Sequence, residues 1–147
     1  MDQTNKNILH YLQENCRSTM KEIGENVGLT SPAVSERIRK LEEEGAILGY
    51  HAHINPLSLG NNISAFIEVD VPARHYERFL NFCNQAEEII EHHHIIGPYN
   101  SMLRVAVHDS EQLENFLSQI KSYGNSQTQI ILSTYFTHGS LDETNNF

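Results

Sequence analysis

Residues Thr30–Ile47 read TSPAVSERIRKLEEEGAI, and the periodicity of this stretch governs the reading of its surroundings. Val34, Ile38 and Leu41 recur at helical spacing and share one face, while Ser35, Glu36, Arg39 and Lys40 fall on the opposite face with Pro32 near its start. Thr30 or Ser31 is the expected N-cap, Pro32 sits in the first turn where its missing N–H costs nothing, and Gly45 ends the helix. Upstream, Met20, Ile23 and Val27 mark a second helix, opened by a capping box of Thr19 and Glu22 and stopped at Gly28. A first helix follows Asp2 and carries Ile8, Leu9 and Leu12. Two short helices joined by the tight turn of Gly28, Leu29 and Thr30 form a helix-turn-helix.

Downstream, AILGYHAHINPL (46–57) has strand character and ends at a proline pair-breaker, which predicts a connecting strand and linker at roughly 46–60. The remainder alternates in type. ISAFIEVDV (63–71) reads as a strand and HYERFLNFCNQ (75–85) as a helix with Tyr76, Phe79, Leu80 and Cys83 on one side. EIIEHHHII (88–96) and SMLRVAVH (101–108) are strands separated by the turn residues GPYN. The helix EQLENFLSQIKSY (111–123) precedes a last strand, QTQIILSTYF (127–136). The βαββαβ order is ferredoxin-like, an antiparallel sheet with helices on one face, and the other face needs cover, most simply from a second subunit. The fold class is therefore α+β: a winged or three-helix helix-turn-helix domain over residues 1–50, a linker over 51–61, a ferredoxin-like domain over 62–138 and a loose polar tail over 139–147.

Composition fits two small globular modules. The 147 residues are 39 % hydrophobic and 20 % charged, and no apolar run is long enough to span a membrane. The N-terminal segment MDQTNKNILHYLQENC lacks the basic, apolar and small-residue pattern of a secretory signal, so a cytoplasmic location is expected. Cys16 and Cys83 have no metal-like spacing and suit a reducing compartment. The net charge of −9 is unevenly spread: residues 1–50 hold 6 Lys+Arg against 8 Asp+Glu, whereas residues 51–147 hold 4 against 11. Within Ser31–Leu41, Arg37, Arg39 and Lys40 face Glu36 alone, which makes a weak positive spot on an acidic protein.

Enzyme signatures are missing. There is no phosphate-cradling glycine loop, GxSxG or HExxH, so no catalytic residue and no cofactor is expected. The run His92, His93, His94 raises metal binding. In a strand, His92 and His94 share a face and His93 takes the other, so the pair can chelate one metal but wants further ligands. His108 and Asp109 lie on or near the adjacent strand, and His51 and His53 form a second alternate pair, yet no spacing ties the groups together. No metal site is assigned, and a metal-responsive protein stands as the alternative reading.

The segment VGLTSPAVSERIRKLEEEGAI (27–47), followed by GYHAHINPLSLG (49–60) and the βαββαβ module, resembles the leucine-responsive regulatory protein/asparagine-synthesis regulator (Lrp/AsnC) family over nearly the whole chain. The resemblance implies a transcription factor that binds double-stranded DNA, assembles as a homodimer, tetramer or octamer, and often takes an amino-acid or other small-molecule effector. An effector-independent architectural DNA-binding protein is a further alternative. With the third helix in the major groove, Arg39 and Lys40 supply charge to phosphates or guanine, Ser31 and Ser35 are short donors, and Pro32 and Ala33 meet thymine methyls. Glu36 either accepts from cytosine N4 or pairs with Lys40, and Arg37, beside the apolar stripe, suits a backbone or structural role.

The resemblance also implies an effector site at the turn between the second and third strands of the module, where the family's pattern is Gly, two variable residues, Asp and Tyr. Here the residues are Gly97, Pro98, Tyr99, Asn100 and Ser101, so a neutral amide replaces the carboxylate and a hydroxyl replaces the aromatic ring. The family's usual amino acids are accordingly expected to bind about ten-fold more weakly, because a neutral hydrogen bond replaces a charge-assisted one.

Overall fold

A computed structural model describes residues 1–135. They form two compact units, Met1–His53 and Ile54–Tyr135. The expected tail at 139–147, with the last three residues of the expected second domain, lies outside the described residues.

The first unit is three helices, α1 (Gln3–Glu14), α2 (Met20–Val27) and α3 (Ser31–Glu43). Asp2 caps α1 by accepting from the Asn5 N–H, and Thr19 and Glu22 form the reciprocal capping box at α2. Gly28 ends α2 at φ 71°, a left-handed conformation that glycine adopts without strain. Ile8, Leu12, Ile23, Val34, Ile38 and Leu41 make one buried cluster, with Leu9, Tyr11, Met20, Val27, Leu29 and Ile47 packed around it. The apolar stripes read from the sequence are thus the faces that meet.

The expected connecting strand does not form among the described residues. Residues 46–55 follow an irregular path, and Pro56–Leu59 is a single 3-10 turn capped by Asn55, whose Oδ1 accepts from the Leu57 N–H at 3.1 Å. A strand exists only where a neighbouring backbone takes up its N–H and C=O groups, and none of the described residues does so here. Leu48, Tyr50, Ile54, Leu57 and Leu59 remain exposed along this segment.

The second unit runs β1 (Ile63–Asp70), α4 (Ala73–Gln85), β2 (Ile89–His94), β3 (Ser101–Val107), α5 (Ser110–Ile120) and β4 (Asn125–Ile130). The antiparallel sheet has the order β2-β3-β1-β4. Ala65, Ile67 and Val69 of β1 and Leu103 and Val105 of β3 bury against Phe79 and Cys83 of α4 and Phe116 and Ile120 of α5. β4 begins two residues earlier than expected because Asn125 pairs with Asp70, and it runs to Ile130 opposite Ala65, with the Ile131 N–H still donating to the Ser64 carbonyl at 2.8 Å. The opposite sheet face presents Phe66, Glu68, Met102, Arg104, Glu91 and His93, which are neighbours through the strand register. Arg104 donates to Glu91 at 2.7 Å, while its Nε is buried with no hydrogen-bond partner among the described residues.

The two thiols differ. Cys16 is exposed, whereas Cys83 is buried in the α4 face and burial pushes its pKa up to about 12.

Candidate nucleic-acid interface and effector loop

α3 is seated by its buried face and by its two ends. Thr30 is extended and makes no side-chain capping bond, but its carbonyl accepts from the Val34 N–H at 3.0 Å. The turn before it passes directly over α2: the Leu29 N–H donates to the Gly24 carbonyl at 2.9 Å, and a Cβ on Gly24 would lie 2.5 Å from the Leu29 oxygen. At the other end Gly45, at φ 72°, lets Ala46 and Ile47 donate to the Leu41 carbonyl. Pro32, Ser35, Glu36, Arg39 and Lys40 are exposed, and Ser31, Ala33 and Arg37 are half-buried.

The cations on this helix have different partners. Arg37 Nη1 reaches back to the start of α1, donating to Asp2 Oδ2 at 2.7 Å and Asn5 Oδ1 at 2.8 Å. The guanidinium bond holds the Asp2 carboxyl below its usual range. Arg39 instead bonds within its own helix. Its Nε and Nη2 meet the two oxygens of Glu36 at 3.1 and 2.7 Å, and its Nη1 meets Glu43. Lys40 Nζ lies 3.7 Å from Glu36. Glu36 therefore serves two cations rather than Lys40 alone, and the Arg39 bond holds its carboxyl below the usual range. Glu43 stands one turn beyond Arg39, at the i to i+4 spacing of a helix ion pair.

In the loop between β2 and β3, Gly97 and Pro98 are exposed and Tyr99 is half-buried, its hydroxyl donating to Gln127 at 3.3 Å. Asn100 is turned onto the end of β1. Its Oδ1 accepts from the Val71 N–H at 3.0 Å and its Nδ2 donates to the Val71 carbonyl at 2.8 Å. Ser101 is fully buried, with its hydroxyl 2.7 Å from His92 Nε2. The structure thus places the Asn100 amide in backbone bonds and the Ser101 hydroxyl in the helix-covered layer, a pairing that sequence spacing does not reveal.

The histidine run alternates as strand geometry requires. A register shift at Ile90 sets His92 opposite Leu103 and His94 opposite Ser101, on the helix side of the sheet. His92 stacks edge-on against Phe79, and His94 Nδ1 lies 2.8 Å from the Tyr76 hydroxyl. His93, on the other face, is 3.3 Å from Glu91. Burial holds the His92 pKa below its usual value, with the neighbouring charges of His93 and His94 acting in the same direction. Among the described residues, no three His, Cys, Asp or Glu side chains converge as a metal would require, and His51 and His53 lie on irregular chain.

The sequence matches the family models described as winged helix-turn-helix DNA-binding, over residues 1–47, and Lrp/AsnC ligand binding domain, over residues 64–141. The chain belongs to the Lrp/AsnC family. It is 37 % identical to the HTH-type transcriptional regulator YezC of Bacillus subtilis, covering 94 % of this chain and 98 % of that protein. It is 33 % identical to the regulator LrpB of the same organism, covering 94 % and 93 %. Among solved structures it resembles Bacillus subtilis LrpC, with a TM-score of 0.87 at 31 % identity, covering 93 % of this chain and 98 % of that one. A Neisseria meningitidis transcriptional regulator in complex with L-Met aligns with a TM-score of 0.88 at 25 % identity, covering 97 % and 96 %. Membership makes this chain a DNA-binding transcriptional regulator rather than an enzyme, and the Lrp/AsnC architecture accounts for both units. No helix among the described residues is long and apolar enough to cross a membrane.

Proposed function

We propose that this Lrp/AsnC protein recognises duplex DNA with the exposed face of α3, acting as a homodimer or a ring of dimers, and that its second unit tunes binding in response to a small molecule of the amino-acid class. The observation that carries the reading is the division of α3 into a buried stripe and an outward face on which Ser35, Glu36, Arg39 and Lys40 are all exposed. Ser31, Pro32 and Ala33 lie at its N-terminal end, where a helix in the major groove meets base edges. Arg37, tied to Asp2 and Asn5, acts by holding α3 on α1.

One copy contributes few cations, so affinity depends on joining several reading heads. The uncovered sheet face, with Phe66 and Met102 half-buried beside Arg104, supports pairing with a second copy. The ligand-binding-domain match and the L-Met complex of the Neisseria relative support the effector. Tyr99 and the exposed backbone of Gly97 and Pro98 are the parts of the loop that can meet it, since the Asn100 amide is bonded to Val71. Response to the family's amino acids should accordingly be weak.

Selection of bound duplexes from a random pool, followed by footprinting, tests the DNA reading. Two-fold symmetry requires paired half-sites whose centres lie a helical turn or a multiple apart, about 34–36 Å per turn. A single asymmetric footprint would overturn the dimeric reading. A thermal-shift screen of the free amino acids tests the effector, because a ligand that binds only the folded state raises its apparent stability. No shift with any of them at millimolar concentration would remove the amino-acid class.

A further inference from the structure

The outward face of α3 holds its cations on its own carboxylates. Arg39 gives its Nε and Nη2 edge to Glu36 and its Nη1 to Glu43, and Lys40 stands beside Glu36. Glu36, Arg39, Lys40 and Glu43 are all more than half exposed. Over Ser31–Glu43 the three cations Arg37, Arg39 and Lys40 are balanced by Glu36, Glu42 and Glu43. A reading helix with no net charge, on a chain of net charge −9, is poorly made for holding phosphates at random.

A guanidinium reads guanine by presenting two parallel N–H groups to O6 and N7. Each edge of Arg39 that could do so already meets a carboxylate, so a base must displace Glu36 or Glu43 before it is read. Exposed ion pairs are weak and screened by salt, and such an exchange is therefore open to a good bidentate acceptor. A phosphate can also take the guanidinium bidentately, but it sets the displaced carboxylate against the anionic backbone, whereas a guanine edge carries no charge to repel it.

We propose that Glu36 and Glu43 are specificity-determining residues, which occupy Arg39 and Lys40 in the free protein so that only a duplex offering Arg39 a bidentate base contact displaces them. The pair lowers affinity for arbitrary DNA more than affinity for the operator. This inference rests on α3 being the reading helix.

The test compares dissociation constants for a duplex selected by the unmodified protein and for a random-sequence duplex of equal length, across a range of salt. Unmodified protein, Glu36→Gln, Glu43→Gln, the double variant and Arg39→Ala are measured side by side, with melting temperatures to confirm folding. The double variant should bind the random duplex about ten-fold more tightly and the selected duplex less than about three-fold more tightly. Its salt dependence should steepen by about one phosphate contact per subunit. Equal gains on both duplexes would overturn the proposal. So would a loss confined to the selected duplex, which would make Glu36 a reader of cytosine. If Arg39→Ala weakens neither duplex while the fold is intact, the assignment of α3 as the reading helix fails first, and that failure is distinguishable from the other two.

Discussion

The side chain of Asn100 bonds the backbone of Val71 at both ends, accepting from its N–H at 3.0 Å and donating to its carbonyl at 2.8 Å. The Asn100 N–H also reaches the Val69 carbonyl at 3.2 Å, so the loop before β3 is stitched to the end of β1. Asn100→Ala would leave the N–H and carbonyl of the buried residue Val71 without these partners, and should cost about 1–3 kcal/mol in urea unfolding. Asn100→Asp should also destabilise, because an ionised carboxylate cannot donate to the Val71 carbonyl. A loss below about 0.5 kcal/mol for Asn100→Ala would mean that water replaces both bonds.

Gly24→Ala sets two effects against each other. Alanine is the better helix former by about 1 kcal/mol, but its Cβ would lie 2.5 Å from the Leu29 oxygen, which is backbone and cannot swing aside. Overpacking of this kind costs about 1–3 kcal/mol, so the net change should be destabilising and the turn should shift with α3 on it. Chemical denaturation and DNA titration of the variant check both. An unchanged or raised stability would show that the turn yields without cost.

Gly24 also shows where sequence reading stops. The stripes, the caps at Asp2 and Thr19 and the stop at Gly28 were legible because each depends on residues within four of one another. The requirement at Gly24 comes from a carbonyl five residues on that is brought back by the turn, and a helix pattern treats an internal glycine only as a weakness. In the same way, strand alternation separated His93 from His92 and His94, but nothing local paired Asn100 with Val71 or Arg37 with Asp2 and Asn5. The strand expected within 46–60 does not form among the described residues for a related reason: strand propensity describes side chains that fit a sheet, and a sheet needs a neighbour.

Arg37 and Arg39 should separate in their effects. Arg37→Ala removes the bonds to Asp2 and Asn5, so it should lower the melting temperature and speed amide exchange in the first turn of α1, weakening all DNA sequences alike. Arg39→Ala should leave the melting temperature nearly unchanged and weaken the selected duplex by about ten- to a hundred-fold. A melting temperature untouched by Arg37→Ala would reduce its contacts to incidental surface pairs.

His92 gives the fold an acid-sensitive point. Burial keeps its folded pKa below the ordinary 6.5, so as pH falls through 6.5 the unfolded chain binds a proton that the folded chain refuses. Stability then rises with pH across that interval and is lost on acidification towards the folded pKa. The chain holds eight other histidines, so the diagnostic quantity is a difference: stability of the unmodified protein should fall more steeply than that of His92→Gln between about pH 7 and 5. Parallel curves would show that the imidazole protonates as easily folded as unfolded.

The contrast between Cys16 and Cys83 provides a ready-made handle for spectroscopy. A thiol that stays protonated and covered is closed to maleimides and iodoacetamides, while an exposed one reacts, so one equivalent of dye should attach at Cys16 without any substitution. That position follows α1, in the unit that carries α3. Each subunit would then report the arrival of DNA by a single fluorophore at a known place, and two labelled subunits would measure the spacing of the reading heads directly.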